Sequence, residues 1–93
     1  MKYIIREGIV SKDICGETLL IASGGAKALC PFIKQLNSTA AFYWRLLEQG
    51  LDSAEMAAAA AEEYQVSAET ILPGLNEFLK DLEEKNYIIA EEK

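Results

Sequence analysis

A chain of 93 residues is expected to form one domain, residues 1–93, with a modest core. Half of its residues are apolar, which excludes disorder by composition, and no apolar run approaches the roughly 18 residues of a transmembrane helix. The net charge of −6 is unevenly distributed, since residues 1–45 carry +3 and residues 46–93 carry −9. This acidic second half disfavours a nucleic-acid-binding protein, which needs a basic surface against phosphate.

The N-terminal stretch MKYIIREGIV carries Arg6 and Glu7 within its apolar residues, which is not typical of a secretory signal. The two cysteines, Cys15 and Cys30, are too few for a disulfide framework. We therefore expect a cytoplasmic protein with free thiols.

Two short stretches rich in β-branched residues, 2–6 and 9–14, predict extended chain. We take residues 9–14 as the first strand and residues 2–6 as a lead-in. A turn at Gly16-Glu17 precedes a second strand, TLLIA, over residues 18–22. The two strands together predict a hairpin.

A third strand is predicted over residues 31–36, after a glycine-containing loop over residues 23–27. Pro31 lacks a backbone N–H and therefore favours a sheet edge or the start of a strand. We expect this third strand to lie at an edge, with one side unpaired.

Two segments then predict two helices, the first from the helical spacing of its apolar residues and the second from its cap and composition. The first is capped by Asn37 or Ser38 and ends at Gly50. The second begins at Asp52 or Ser53 and continues into an alanine-rich run that strongly favours helix.

A third helix is predicted from a cap at Ser67 to about Asn86, and residues 87–89 follow as a short strand or a docked tail. Pro73-Gly74 conflicts with an uninterrupted helix, because proline removes a backbone hydrogen bond. The sequence predicts either a kink at this point or a late helix start near Pro73.

Three strands followed by three helices predict an α+β fold. A short helix, a turn and a longer helix resemble a helix-turn-helix. The predicted architecture is therefore winged helix-turn-helix-like, with an N-terminal three-stranded antiparallel sheet followed by three helices.

The residue types that carry most enzyme chemistry are missing or badly spaced. The chain has no histidine, and its two cysteines lack the partners of a zinc site. No phosphate-binding glycine pattern is present. The paired carboxylates are typical of solvated helix faces or a tail; they are Glu62-Glu63, Glu83-Glu84 and Glu91-Glu92. We expect no catalytic residue, no metal, no cofactor and no enzyme activity in this chain.

The predicted third helix is a poor DNA-recognition helix, because residues 68–85 carry five acidic residues against two lysines. An open strand edge instead favours a peptide, which can add to it as a further strand. The third helix could supply an apolar wall beside this edge. Its apolar residues have helical spacing and form one stripe, whose members are Ile71, Leu72, Leu75, Phe78, Leu79 and Leu82. Most of this stripe is expected to belong to the core. Only the residues at its strand-facing margin would be able to contact a ligand.

Three segments, LNSTAAFYWRLLEQG, AEEYQVSAET and LNEFLKDLEEKNYI, in this order and spacing resemble the PqqD-like family of winged-helix peptide chaperones, also called RiPP recognition elements. The most specific part is Leu36-Asn37-x-Thr39-Ala40 followed by Trp44. The resemblance runs from about residue 9 to residue 89. It implies a structural role for Leu36 in the core and for Asn37 and Thr39 at the helix start.

The resemblance also implies a non-catalytic chaperone that binds the leader segment of a ribosomally synthesised precursor peptide. The leader would add as a strand, and the chaperone would present the precursor to a maturation enzyme, often a radical S-adenosylmethionine (SAM) enzyme. Transferred to this chain, the implied peptide contacts are Cys30, Pro31, Phe32, Ile33, Lys34 and Gln35 in the third strand and Leu75, Phe78, Leu79 and Leu82 in the third helix.

Two other functions remain open at this stage. One is a winged-helix protein-interaction or regulatory domain that never meets a precursor peptide, and the other, less favoured, is a DNA-binding regulator. An exposed strand edge also permits a homodimer by strand exchange. We expect no nucleic-acid or membrane partner.

Overall fold

The computed structural model describes residues 2–24 and 33–91. In chain order its elements are β1 (Lys2–Ile5), β2 (Ile9–Ile14), β3 (Glu17–Ala22), β4 (Lys34–Leu36), α1 (Ser38–Glu48), α2 (Ser53–Tyr64), α3 (Ala68–Glu84) and β5 (Ile88–Glu91). The fold is α+β, as predicted. Within these residues, no helix combines the length and apolarity needed to cross a membrane.

The main sheet is antiparallel, with strand order β2-β3-β4. Cys15 and Gly16 both have positive φ, at 52° and 81°, and form the two-residue connection between β2 and β3. This geometry matches the right-handed twist of a hairpin. The predicted turn at Gly16-Glu17 is therefore one residue late, because Glu17 already pairs with Ile14.

A second, two-stranded sheet joins the two ends of the chain. β1 pairs antiparallel with β5, with Ile5 opposite Ile88 and Ile4 opposite Ile89. The predicted lead-in is therefore a true strand, and the C-terminal segment forms the short strand that was one of its two predicted states. Local sequence could not reveal this pairing, because the partners are more than 80 positions apart.

All three helices begin at the predicted caps. Asn37 Oδ1 accepts the backbone N–H of Ala40 at 2.8 Å, and Ser67 caps α3 through the N–H of Thr70. Asp52 caps α2 in a reciprocal capping box with Glu55. These bonds satisfy amide groups that the first turn of a helix leaves without partners.

α3 starts at Ala68 and runs through Pro73, so the alternative of a late start near Pro73 is wrong. Proline at this position removes the N–H that would have bonded the carbonyl of Glu69. Both residues are exposed, so water can bond this carbonyl instead. The helix therefore continues at a cost in stability.

The core lies between the main sheet, the β1–β5 ribbon and the three helices. Its fully buried large side chains are Leu20, Trp44, Met56, Leu75, Leu79, Leu82 and Ile88. Ala57 and Ala60 are also buried, where α2 packs against α3. Small side chains at these positions let the two helices approach closely.

Candidate functional site

β4 is an edge strand of the main sheet. It pairs with β3 on one side, with Leu36 opposite Thr18 and Lys34 opposite Leu20. Among residues 2–24 and 33–91, no strand pairs with its other side. The chain's own C-terminal strand pairs with β1, in a different sheet. The described part of β4 thus keeps a backbone edge available to another strand.

The side chains of β4 alternate between two environments. Leu36 is buried and Lys34 is partly buried, so this pair faces the helices. Gln35 is exposed, and Ile33, just before the strand, is 63% exposed. A strand added to this edge would have alternate side chains beside each of these two faces.

α3 meets β4 through an ion pair on the helix-facing side of the sheet. Lys34 Nζ is 3.0 Å from Asp81 Oδ2, which joins the strand to the helix directly. Gly74, Phe78 and Asp81 are spaced one helical turn apart and share one face of α3. We call this face, continued by Lys85, the α3 flank.

Phe78 supplies most of the apolar surface of the α3 flank. Its side chain is half-buried, and its ring lies 5.6 Å from the ring of Tyr43 on α1. Phe42 precedes Tyr43 and forms an edge-to-face pair with Tyr64 at 5.5 Å. Desolvation raises the pKa of Tyr43 above its usual value of 10.0. The contact with Tyr43 favours one orientation of the Phe78 ring.

Of the four predicted helix contacts, only Phe78 has exposed surface at the flank. Leu75, Leu79 and Leu82 are at most 1% exposed and lie in the core. They hold α3 against the rest of the protein, as expected for most of the stripe. Of the predicted strand contacts, Ile33, Lys34 and Gln35 are described and lie together at the β4 edge; Cys30, Pro31 and Phe32 lie outside the described residues.

The electrostatic centre of this region is Asp81. Its two carboxylate oxygens bind different ammonium groups, since Lys85 Nζ is 2.9 Å from Oδ1 and Lys34 Nζ is 3.0 Å from Oδ2. Hydrogen bonding, first from Lys85 and then from Lys34, lowers the pKa of Asp81 below its usual 3.8. The pKa of Lys85 is raised by the same hydrogen bond. Asp81 is therefore ionised at neutral pH.

Sequence reasoning missed Asp81 as a neighbour of β4, and Gly74 and Lys85 as residues on the same helix face. The signal was present in their spacing from Phe78, which places all four on one helix face. Locally, glycine indicates a helix break and charged residues indicate a solvated face, so neither residue type by itself points to a neighbouring strand. A Cβ on Gly74 would meet no atom within 4 Å, so the flank is open at this point.

The structure resembles a solved chain described as TbiB1 in complex with the TbiA(beta) leader peptide. The TM-score is 0.79 and the sequence identity is 26%, and the match covers 97% of this chain and 99% of that chain. No curated protein matches the sequence.

The family model for coenzyme PQQ synthesis protein D (PqqD) matches residues 32–88, which is more than half of the chain. The matched span contains β4, the three helices and the start of β5. The chain therefore belongs to the PqqD family.

Proposed function

We propose that this protein is a non-catalytic chaperone that binds the leader segment of a ribosomally synthesised precursor peptide as an added strand on β4. The observation that carries the proposal is the side of β4 with which no strand of residues 2–24 or 33–91 pairs, while Lys34 of β4 contacts α3 and the strand β5 pairs with β1. Membership of the PqqD family and the likeness to a chain solved with a leader peptide support it.

Backbone pairing alone is too weak to explain such binding. Each backbone hydrogen bond contributes about 0.5–1.5 kcal/mol net, and a flexible peptide loses entropy when it is ordered. Micromolar affinity requires about 8 kcal/mol. Side-chain contacts must supply the difference, and the α3 flank offers Phe78 for this purpose.

The two faces of an added strand would have different requirements. Side chains on the helix-facing side would meet Phe78 and the open space at Gly74, which suits apolar residues. Side chains on the other side would lie beside Ile33 and Gln35, which are exposed to water. We therefore expect a leader with apolar residues at every second position of the bound stretch, except opposite Lys34.

The other open edge of the main sheet is a weaker candidate. Its strand, β2, lies under polar side chains of α1, with Ser11 Oγ 3.3 Å from Glu48 and Arg45 3.6 Å from Asp13. These contacts are exposed to water and provide no apolar wall. A bound peptide would gain backbone hydrogen bonds there, and its apolar contacts would come from the half-exposed side chains of Val10 and Ile14 on the strand itself.

The role of the bound leader, in this proposal, is to bring the precursor to a maturation enzyme. The family resemblance favours a radical SAM enzyme as this partner. The chaperone itself would provide no reacting group, and its contribution would be to fix the leader in one extended conformation. A homodimer formed through two β4 edges would compete with the leader for the same backbone groups.

The test is a titration of the ¹⁵N-labelled protein with synthetic 20-residue peptides taken from the N-terminal parts of short reading frames that flank its gene. We expect amide shifts at residues 33–36 and along the α3 flank, and none in the β1–β5 ribbon. A second set of peptides with one N-methylated amide each should lose affinity at alternate positions only, because strand pairing uses every second N–H on one side. Shifts confined to α1 and α2, or an absence of binding by all peptides, would overturn the proposal.

A further inference from the structure

Lys34 has an unusual position among the charges of this protein. It lies on the open edge strand, its side chain is only 25% exposed, and it shares the carboxylate of Asp81 with Lys85. Two ammonium groups on one carboxylate leave a local charge of +1 beside the proposed peptide site. This contrasts with the net charge of −6 of the whole chain.

Asp81 does not need Lys34 in order to stay paired. Lys85 binds the other carboxylate oxygen at 2.9 Å and is the main cause of the lowered pKa of Asp81. If Lys34 turned to another anion, Asp81 would therefore keep one charged hydrogen bond. Leaving a partly buried carboxylate without any partner would cost far more.

A residue added directly opposite Lys34 would lie within its reach. Side chains that face each other across two paired strands have Cβ atoms about 4.5–5.5 Å apart and share one face of the sheet. The side chain at this place would extend into the space that the Lys34–Asp81 ion pair bridges. A carboxylate there could accept a hydrogen bond from Lys34 Nζ without any movement of the backbone.

We infer that Lys34 selects an acidic residue, Asp or Glu, at one position of the bound peptide by exchanging Asp81 for the peptide carboxylate. This inference rests on the proposed function and adds a specificity to it. It assigns Lys34 as the residue that fixes the register of the peptide, because a one-residue slip would move the acidic side chain to the other face.

The acidic character of the protein does not oppose this selection at contact distance. Charges on distant helix faces are screened over about 10 Å at 0.1 M salt. The ammonium of Lys34 is partly shielded from water and would contact the peptide carboxylate directly. The negative net charge of the protein would slow the approach of an acidic peptide. Lys34 would stabilise the bound peptide only when the acidic residue lies opposite it.

The experiment is a double-mutant cycle by isothermal titration, using a flanking-frame peptide that binds in the titration above. Each Asp or Glu of that peptide is replaced in turn by Asn or Gln. We expect one replacement to weaken binding to the wild-type protein about tenfold, the scale of a coupled charge pair. The same replacement should have little effect on binding to Lys34→Met. Lys85→Met should reduce the preference, because Asp81 would then be left without an ammonium partner when Lys34 turns to the peptide.

Asp81→Asn gives a second, opposite test. In this variant Lys34 no longer has an ion pair with residue 81. The acidic peptide should therefore bind to Asp81→Asn several-fold more tightly than to the wild-type protein, and more weakly to Lys34→Met. A purely structural role of the ion pair would weaken binding in both variants. Each variant is checked for the wild-type fold by its amide spectrum, and Lys34→Gln replaces Lys34→Met if the latter does not fold.

The outcomes separate the two proposals. A peptide that binds at the β4 edge but contains no acidic residue, or whose acidic residues show no coupling to Lys34, would overturn this inference and leave strand addition intact. If no peptide binds at the β4 edge, both proposals fail.

Discussion

Arg6 donates a hydrogen bond from Nε to the backbone carbonyl of Asn86, 2.8 Å away, across 80 positions of sequence. The backbone N–H of Arg6 also donates to the carbonyl of Tyr87 at 3.0 Å. These bonds close the ribbon of β1 and β5, so the C-terminal strand pairs with β1 and not with the main sheet. The availability of the β4 edge therefore depends partly on contacts made at the two chain ends.

Arg6→Lys should destabilise the protein by about 1–2 kcal/mol, because lysine keeps the charge but loses the planar N–H that reaches a part-buried carbonyl. Urea unfolding measures the change. Arg45→Lys is the matched control, since its ion pair with Asp13 is exposed at both ends and should change stability by less than about 0.5 kcal/mol. Equal losses in the two variants would contradict a special role for Arg6.

Gly74→Leu should block peptide binding without harming the fold. The position is open, and leucine has a higher helix propensity than glycine by nearly 1 kcal/mol, so stability should be unchanged or higher. The added side chain would occupy the space beside Phe78 that the proposed leader needs. Titration should show at least a tenfold loss of affinity, while Gly74→Ala should lose much less. Full binding by Gly74→Leu would exclude this face as the peptide wall.

Phe78 and Leu79 are adjacent in sequence but should respond differently to substitution. Phe78→Leu keeps an apolar side chain at the flank but removes the aromatic ring, and should weaken peptide binding about tenfold, as expected for an aromatic anchor. Leu79 lies in the core, so Leu79→Val should lower the free energy of unfolding by about 1 kcal/mol with little change in the affinity for the peptide. Calorimetry and urea unfolding on both variants would show whether affinity and stability separate in this way.

Acid should weaken the contribution of Asp81 to stability. Its pKa is lowered in the folded protein, so its ion pairs contribute fully above its unfolded pKa and are lost as the pH falls through the lower folded value. The side chain is 40% exposed, so the effect after solvent screening should be within about 1 kcal/mol. Wild-type protein should exceed Asp81→Asn in stability at pH 6, and the difference should shrink below about pH 4. A difference that is constant from pH 6 to pH 2 would mean that the charge of Asp81 is irrelevant.

Pro73→Ala should stabilise the protein by about 2 kcal/mol. The substitution restores the bond to the carbonyl of Glu69 and removes the crowding of the proline ring, which together cost about 3 kcal/mol in a helix interior, and the freer unfolded chain offsets about 1 kcal/mol. Urea unfolding tests this value. Gly74→Ala should give a smaller gain of about 0.5–1 kcal/mol. A loss of stability in Pro73→Ala would show that the proline ring makes contacts that α3 requires.

The caps of the three helices show what local sequence can predict. Asn37, Asp52 and Ser67 each bond an amide three positions away, so the signal and the structure lie within the same few residues. The effect of Pro73 on the helix, in contrast, does not follow from neighbouring residues alone. Whether a helix tolerates a lost hydrogen bond depends on whether the free carbonyl can reach water, and this is a property of the surroundings rather than of the sequence.

The sequence by itself determined the hairpin of the main sheet, the three helices that follow and their starts, because these depend on composition and short-range bonds. Only the tertiary structure decided that β1 pairs with β5, that Lys34 meets Asp81, and that Leu75, Leu79 and Leu82 turn inward while Phe78 remains at the margin. These relationships join residues far apart in the chain or depend on which side of a helix is covered. Their free energy comes from packing and burial, which no local pattern contains.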